Sequence, residues 1–230
     1  MSAFLSGIPC FGVCLTVTVY LAFVLLHQRR PKLPVNPLLC AILTVVALLL
    51  LLGIDYEDYR SSTQVLTFFL TPATICLAIP LYEQMGRIRE NLLPVLGGIA
   101  AGVAANAAVI LLLSAVFSLR HDIYVTLLPK SLTAAICIVL SAEYGGYPDI
   151  AIIATIITGQ TGSLLAPWIC RVFGITDPLA RGVGIGSASH AIGTARAMEM
   201  DELSGAASSF SMVATGVLSV VILPFFTGLL

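Results

Sequence analysis

Six stretches of this chain carry no Asp, Glu, Lys or Arg: Met1 to Leu26, Leu33 to Ile54, Ser61 to Tyr82, Asn91 to Leu119, Ile150 to Cys170 and Gly205 to Leu230. A bilayer core about 30 Å thick is crossed by roughly 20 helical residues at about 1.5 Å each, so every one of these stretches is long enough to span it. In lipid the backbone satisfies its polar groups only as helices or as a closed barrel. Barrel strands alternate polar and apolar residues with period two, and these runs do not, which leaves helices. Only 10% of the 230 residues are charged, against roughly a quarter in soluble domains. The expectation is an all-α polytopic membrane protein, one transmembrane domain over residues 1–230 with about six to eight membrane segments, some of them broken or re-entrant.

The remaining composition excludes several classes. No basic patch interleaved with aromatics exists, so nucleic acid is not an expected partner. The six cysteines lie scattered in apolar runs, where thiols behave as small hydrophobes, and no metal or disulfide role is expected. The first apolar run has neither a basic n-region nor an A-x-A site and reads as a retained helix over about Ser6 to Leu26.

Loop charges set the expected topology. His27, Arg29, Arg30 and Lys32 form the densest cationic cluster and mark a cytoplasmic loop by the positive-inside rule. Asn36-Pro37 opens a second helix to Ile54, and the acidic loop around Asp55, Glu57 and Asp58 faces outside. The third segment, Ser61 to Tyr82, contains Pro72 and Pro80 and is expected to kink or break near Thr71-Pro72, because proline removes a helical hydrogen bond and clashes with the preceding turn. Arg87 and Arg89 then lie in the cytoplasm, and a glycine-rich helix over Leu92 to Phe117 returns outward. Pro129 interrupts the next apolar segment, with Ser131 or Thr133 able to cap the helix beyond it. Simple alternation would put Arg171 to Arg181 outside, against the positive-inside rule. A re-entrant segment between Ile123 and Glu143 removes the conflict. Residues 63–117 and 124–173 also resemble one another, with Gly98 overlaying Gly159, and would then form an inverted repeat of the kind that frames transporter sites with half-helix ends.

Polar chemistry concentrates in the stretch from Arg181 to Glu199. Read as one helix, it puts Gly182, Gly186, Ser189, Gly193 and Arg196 or Ala197 on one face and Ser187, His190 and Thr194 on the adjoining face. A small-residue strip alone is a packing surface. A cation at mid-membrane is costlier, about 2.5 to 3.5 kcal/mol on insertion scales, and normally faces water or a partner. For Lys130 and Arg196 the alternatives are substrate contact or gating, and snorkelling or pairing with Glu143 or Glu199. His190 is a proton-coupling or substrate-contacting group, or a structural histidine. Ser189 beside His190 does not make a hydrolase, since neighbours on a helix point about 100° apart, and no enzymatic activity is expected. Together the expected site comprises Pro72, Ala73 and Thr74 at the first break, Lys130, Ser131 and Thr133 at the second, and Ser189, His190, Thr194 and Arg196. Asn36, Glu143, Gly159, Gly162, Gly193 and Glu199 are structural or coupling positions. Two or three positive groups with hydroxyls and helix N-termini suit a small anion, best a monocarboxylate. No cofactor is expected beyond a coupling ion, H⁺ or Na⁺.

The motifs at these residues resemble the LrgB/CidB family of bacterial inner-membrane proteins. That family carries a segment close to G-x-A-x-G-x-x-S-H-A-x-G-T-A-R-A-x-E, matched here from Gly182 to Glu199. Asn36-Pro37-Leu38-Leu39, the run from Pro72 through Leu77-Ala78 to Pro80-Leu81-Tyr82, Leu128-Pro129-Lys130-Ser131 with Thr133, Gly145-Gly146, and Gly159 with Gly162 follow in the family's order. Thr71 stands where relatives usually have Gly, and Ala134-Ala135 where they usually have Thr-Pro. The resemblance implies a holin-like membrane partner of the LrgA/CidA type, fused in the similar plastid glycolate/glycerate translocator. It also implies one of two activities, transport of pyruvate, glycolate or related carboxylates, or antiholin-like control of murein hydrolases. A homo-oligomer, with a dimer as the expected form, is also open.

Overall fold

The computed structural model describes residues 10–29, 37–76 and 78–230, and among these every regular element is helical. Two compact units divide the chain, the first ending at Cys76. In the first, α1 (Phe11–Arg29) and α2 (Pro37–Leu52) pack together and are followed by α3 (Tyr56–Ser62) and α4 (Gln64–Cys76). The acidic segment read as a loop is thus the helix α3. Asp55 caps it by accepting from Glu57 N, and acids in the first turn suit the helix dipole. Its Ser62 hydroxyl accepts from Gly12 N, and Tyr59 meets Thr16 at 2.7 Å. Helix α4 continues through Pro72 instead of ending there. One missing N–H leaves enough flanking bonds to hold the helix, as it does at Pro167 in a later span.

The second unit holds α5 (Ala78–Glu83), α6 (Met85–Glu90) and α7 (Leu92–Val116). Then come α8 (His121–Leu127), α9 (Ala134–Glu143), α10 (Pro148–Val172), α11 (Pro178–Met200), α12 (Glu202–Ile222) and a last turn, α13 (Pro224–Thr227). Among the described residues α1, α7, α10 and α12 are long and apolar enough to cross a membrane. The chain is a multi-pass membrane protein.

Residues 121–143 double back. Helix α8 stops before Pro129 and α9 starts after Thr133, and the two outer ends meet: Tyr147 Oη donates to Asp122 Oδ2 at 2.9 Å and Tyr147 N donates to Thr126 Oγ1 at 2.8 Å. This first hairpin enters and leaves at one end of the unit, as expected. Tyr124, Val125, Leu128, Leu132 and Leu140 anchor it against Ala107 and Ile110 of α7 and Leu223 after α12.

Helix α11 was expected to be continuous and is a second hairpin. At His190 the backbone leaves the helix, with φ 41° and ψ −142°. A straight helix would separate Arg181 from Asp201 by about 30 Å, yet their side chains form an ion pair at 3.3 Å, and Ser204 Oγ donates to Pro178 O at 3.0 Å. Ile185 of the first arm packs with Ala197 and Met200 of the second. The single-face pattern read from the sequence therefore does not hold across His190, because helical phase is lost where the chain turns.

Each 25-residue helix, α7 and α10, leads into one hairpin, and the two hairpins enter from opposite ends. The hairpin of residues 121–143 follows α7 and that of residues 178–200 follows α10. Both outer ends of the second hairpin lie beside Arg87, where Arg87, Pro178, Arg181, Met200 and Asp201 line one open cleft. In a cysteine-free background, Asp177→Cys and Arg87→Cys are expected to react with an impermeant thiol reagent from the same membrane face. Reaction from opposite faces would contradict this topology.

Candidate functional site

Pro129 has no N–H, so the first hairpin's tip leaves backbone acceptors to be satisfied from elsewhere. Asn106, on α7, supplies one donor: its Nδ2 donates to Leu128 O at 3.1 Å. The same amide's Oδ1 accepts from Lys130 Nζ at 3.1 Å. Ser131 is buried beside it. Thr133 occupies the N-cap of α9 in extended conformation but its side chain makes no capping bond, leaving the first-turn N–H groups of α9 without that partner.

The second tip sits in a notch of missing side chains on α10. A Cβ at Gly159 would lie 2.6 Å from the His190 ring, and one at Gly162 would lie 1.7 Å from Ser189 Oγ. Gly193 serves the same purpose within the hairpin, with Ile185 and Ser189 pressed against it. His190 Nε2 donates to Thr155 O at 3.0 Å, which makes Nε2 the protonated nitrogen. This bond and the notch hold His190 in a left-handed backbone conformation that costs about 1–3 kcal/mol for a residue with a side chain. Thr194 Oγ1 donates to His190 O and meets Ser208 Oγ of α12 at 2.8 Å.

Three crossing helices bring the tips together, each touching both hairpins. On α7, Gly102 faces Ser187 and Asn106, one turn later, holds Leu128 and Lys130, an axial step of about 6 Å. On α10, Thr155 accepts from His190 through its carbonyl and donates through Oγ1 to Cys137 Sγ at 3.1 Å. On α12, Ser208 meets Thr194 and Gly216 meets Ile136. The N-terminal ends of α9 and of the second arm, residues 191–200, both start at the tips, so two positive dipole ends and one ammonium share the middle of the unit. Among the described residues no carboxylate pairs with Lys130; the ion pairs lie at the ends of helices, at Arg60–Glu57, Arg120–Asp122, Arg181–Asp201 and Arg196–Glu199.

The LrgB-like family model matches residues 16–229. The chain belongs to the LrgB-like family. It is 37% identical over 212 residues to the holin-like protein CidB of Staphylococcus aureus strain Mu50, covering 92% of this chain and 93% of that one. Similarity to the CidB of Staphylococcus epidermidis strain RP62A is 35% over the same length, covering 92% of this chain and 93% of that one. The uncharacterized protein YxaC of Bacillus subtilis strain 168 is 35% identical over 206 residues, covering 90% of each chain. No solved structure matches.

In this LrgB-like chain the signature segment is the second hairpin; Ser189 and His190 form its tip, seated on Gly159 and Gly162 of α10, while Gly182 and Gly186 let its first arm lie against α12. Lys130, Ser131, Thr133, Ser189, His190 and Thr194 belong to the two converging hairpins. Arg196 does not join them: it lies six residues along the second arm, with its side chain 41% exposed, and pairs with Glu199. Glu143 is exposed at the far end of α9 from Lys130 and does not pair with it. Pro72 is exposed in α4 of the first unit, while Asn36 and the side chains of Ala73 and Thr74 lie outside the described residues. Sequence reasoning passed over Asn106, although an amide within a charge-free span is itself a costly feature that needs a partner. It also placed no site residue on α12. Ser204, Ser208, Ser211, Thr215 and Ser219 recur there at helical spacing, all buried. Ser211 Oγ donates to Val183 O at 3.0 Å, so this stripe holds the second hairpin's first arm.

Proposed function

We propose that this protein is a transporter, or the substrate-binding subunit of one, for a small monocarboxylate of pyruvate, glycolate or lactate size in the bacterial cytoplasmic membrane. The observation that carries this reading is the Lys130 ammonium at the first hairpin's tip, held by the neutral amide of Asn106, with the N-terminal ends of two half-helices starting at the two tips. A lone positive group in the middle of a membrane unit is costly unless an anion visits it. One ammonium and two helix ends match one carboxylate, while Ser131 and Thr133 offer hydroxyls to a carbonyl or hydroxyl beside it. Hairpins that enter from opposite ends suit alternating access, each tip thinning the barrier on its own side. His190 is the group proposed to couple proton movement to the carboxylate, with Na⁺ as the other coupling ion. A holin-like LrgA/CidA-type membrane protein is the proposed partner, and a homodimer the proposed assembly.

The holin-like name of the CidB relatives supports a holin-type role, and with it a second reading, which we propose as the alternative: an antiholin-like structural regulator of murein hydrolase activity and autolysis without transport of its own. Uptake of labelled pyruvate, glycolate and lactate into proteoliposomes, with and without the partner, separates the two. Saturable uptake is expected, and its absence from both preparations for every small carboxylate would leave only the holin-like reading. Arg196→Gln is expected to keep uptake within about twofold, since an exposed pair with Glu199 contributes little. Loss of uptake in that variant would return Arg196 to the site.

A further inference from the structure

Asn106 hydrogen-bonds both the broken backbone and the cation of the first tip. Its amide orientation is set by chemistry: an ammonium has only donors and a carbonyl only acceptors, so Oδ1 must face Lys130 and Nδ2 must face Leu128. We propose that Asn106 is the positioning residue that aims Lys130 at the carboxylate substrate and, being a neutral amide, leaves the ammonium's full charge for that substrate. The inference rests on the transport reading above for the nature of the ligand. An acid at this position would reach Nζ as well as the amide does and would act as a built-in competitor for the substrate. An aliphatic residue would leave Leu128 O and Lys130 both unsatisfied. Asparagine meets the geometric demand of the break without neutralising the site.

The test uses the full chain in proteoliposomes and two readouts. One is uptake of labelled pyruvate, read as half-saturating concentration and maximal rate. The other is protection of Lys130 by pyruvate against a small amine-reactive reagent, read by mass spectrometry and independent of transport. Asn106→Asp is expected to raise both the half-saturating and the half-protecting concentration by at least about tenfold. Asn106→Ser, neutral and smaller, is expected to keep half-protection within about threefold, since the ammonium keeps its charge, while lowering the maximal rate, because Lys130 loses its aim and Leu128 O its donor. Wild-type affinity in the Asp variant overturns the proposal, as does a tenfold or greater rise of the half-protecting concentration, or a wild-type maximal rate, in the Ser variant, which alone decides the matter should the Asp variant fail to insert. Protection of wild-type Lys130 without uptake would defeat the transport reading and leave the role of Asn106 standing. If no small carboxylate protects wild-type Lys130, the role of Asn106 falls as well.

Discussion

Lys130→Gln is expected to abolish saturable carboxylate uptake, by about a hundredfold or more, while the protein still inserts and elutes as a single species. Leaving a carboxylate without its buried charged partner costs about 2–5 kcal/mol, and each 1.4 kcal/mol is tenfold in affinity. Glutamine keeps a donor for Asn106 Oδ1, so the tip's geometry survives and the loss reports charge. Lys130→Arg should recover part of the activity at best, since a planar guanidinium does not reproduce a compact ammonium on an amide oxygen. Initial-rate uptake beside size exclusion in detergent measures both properties. Wild-type rates in Lys130→Gln would move the anion site elsewhere in the molecule.

A second large effect is expected at the seat of the other hairpin. In Gly162→Ala the new Cβ would sit 1.7 Å from Ser189 Oγ and 2.7 Å from Ser189 Cβ, so the tip must shift. Overpacking of this kind costs about 1–3 kcal/mol, or several degrees of thermal midpoint for a chain of this size. Gly97→Ala is the control on a helix of the same length, because a Cβ there meets nothing within 4 Å. It should be neutral or stabilising by up to about 1 kcal/mol, as alanine favours the helix. Ser189→Gly combined with Gly162→Ala removes the colliding atoms and should restore most of the lost midpoint. Equal destabilisation at Gly97 and Gly162, or no recovery in the double variant, would mean the tip is not seated in this notch.

The crossing helices were legible because their signal is local and thermodynamic. A run of apolar residues long enough to span a bilayer has few alternatives to a helix, and α7, α10 and α12 lie where the charge-free stretches put them. The first hairpin was also legible, since Pro129 breaks the helix and the arginines near residues 171–181 conflict with simple alternation. The second was not, because nothing in Ser189-His190-Ala191 breaks a helix locally. A histidine there keeps its N–H and has ordinary propensity. The turn exists because Gly159 and Gly162 open a notch on another helix and Thr155 O accepts the ring. The division of cations followed the same line. Lys130 and Arg196 look alike as charges in apolar sequence, and only the fold put one beside Asn106 and the other beside Glu199.

By itself, then, the sequence determined a multi-pass helical membrane protein, the places of its spans, one broken segment, and the polar residues worth watching. Composition and hydropathy act residue by residue and need no neighbour. Tertiary structure decided that the signature segment folds back at His190, that two hairpins enter from opposite ends, and that one lysine sits beside a neutral amide and not a carboxylate. Each of those depends on contacts between residues far apart in the chain, in a medium where an unpaired polar group is expensive enough for a single missing side chain to set the path of the backbone.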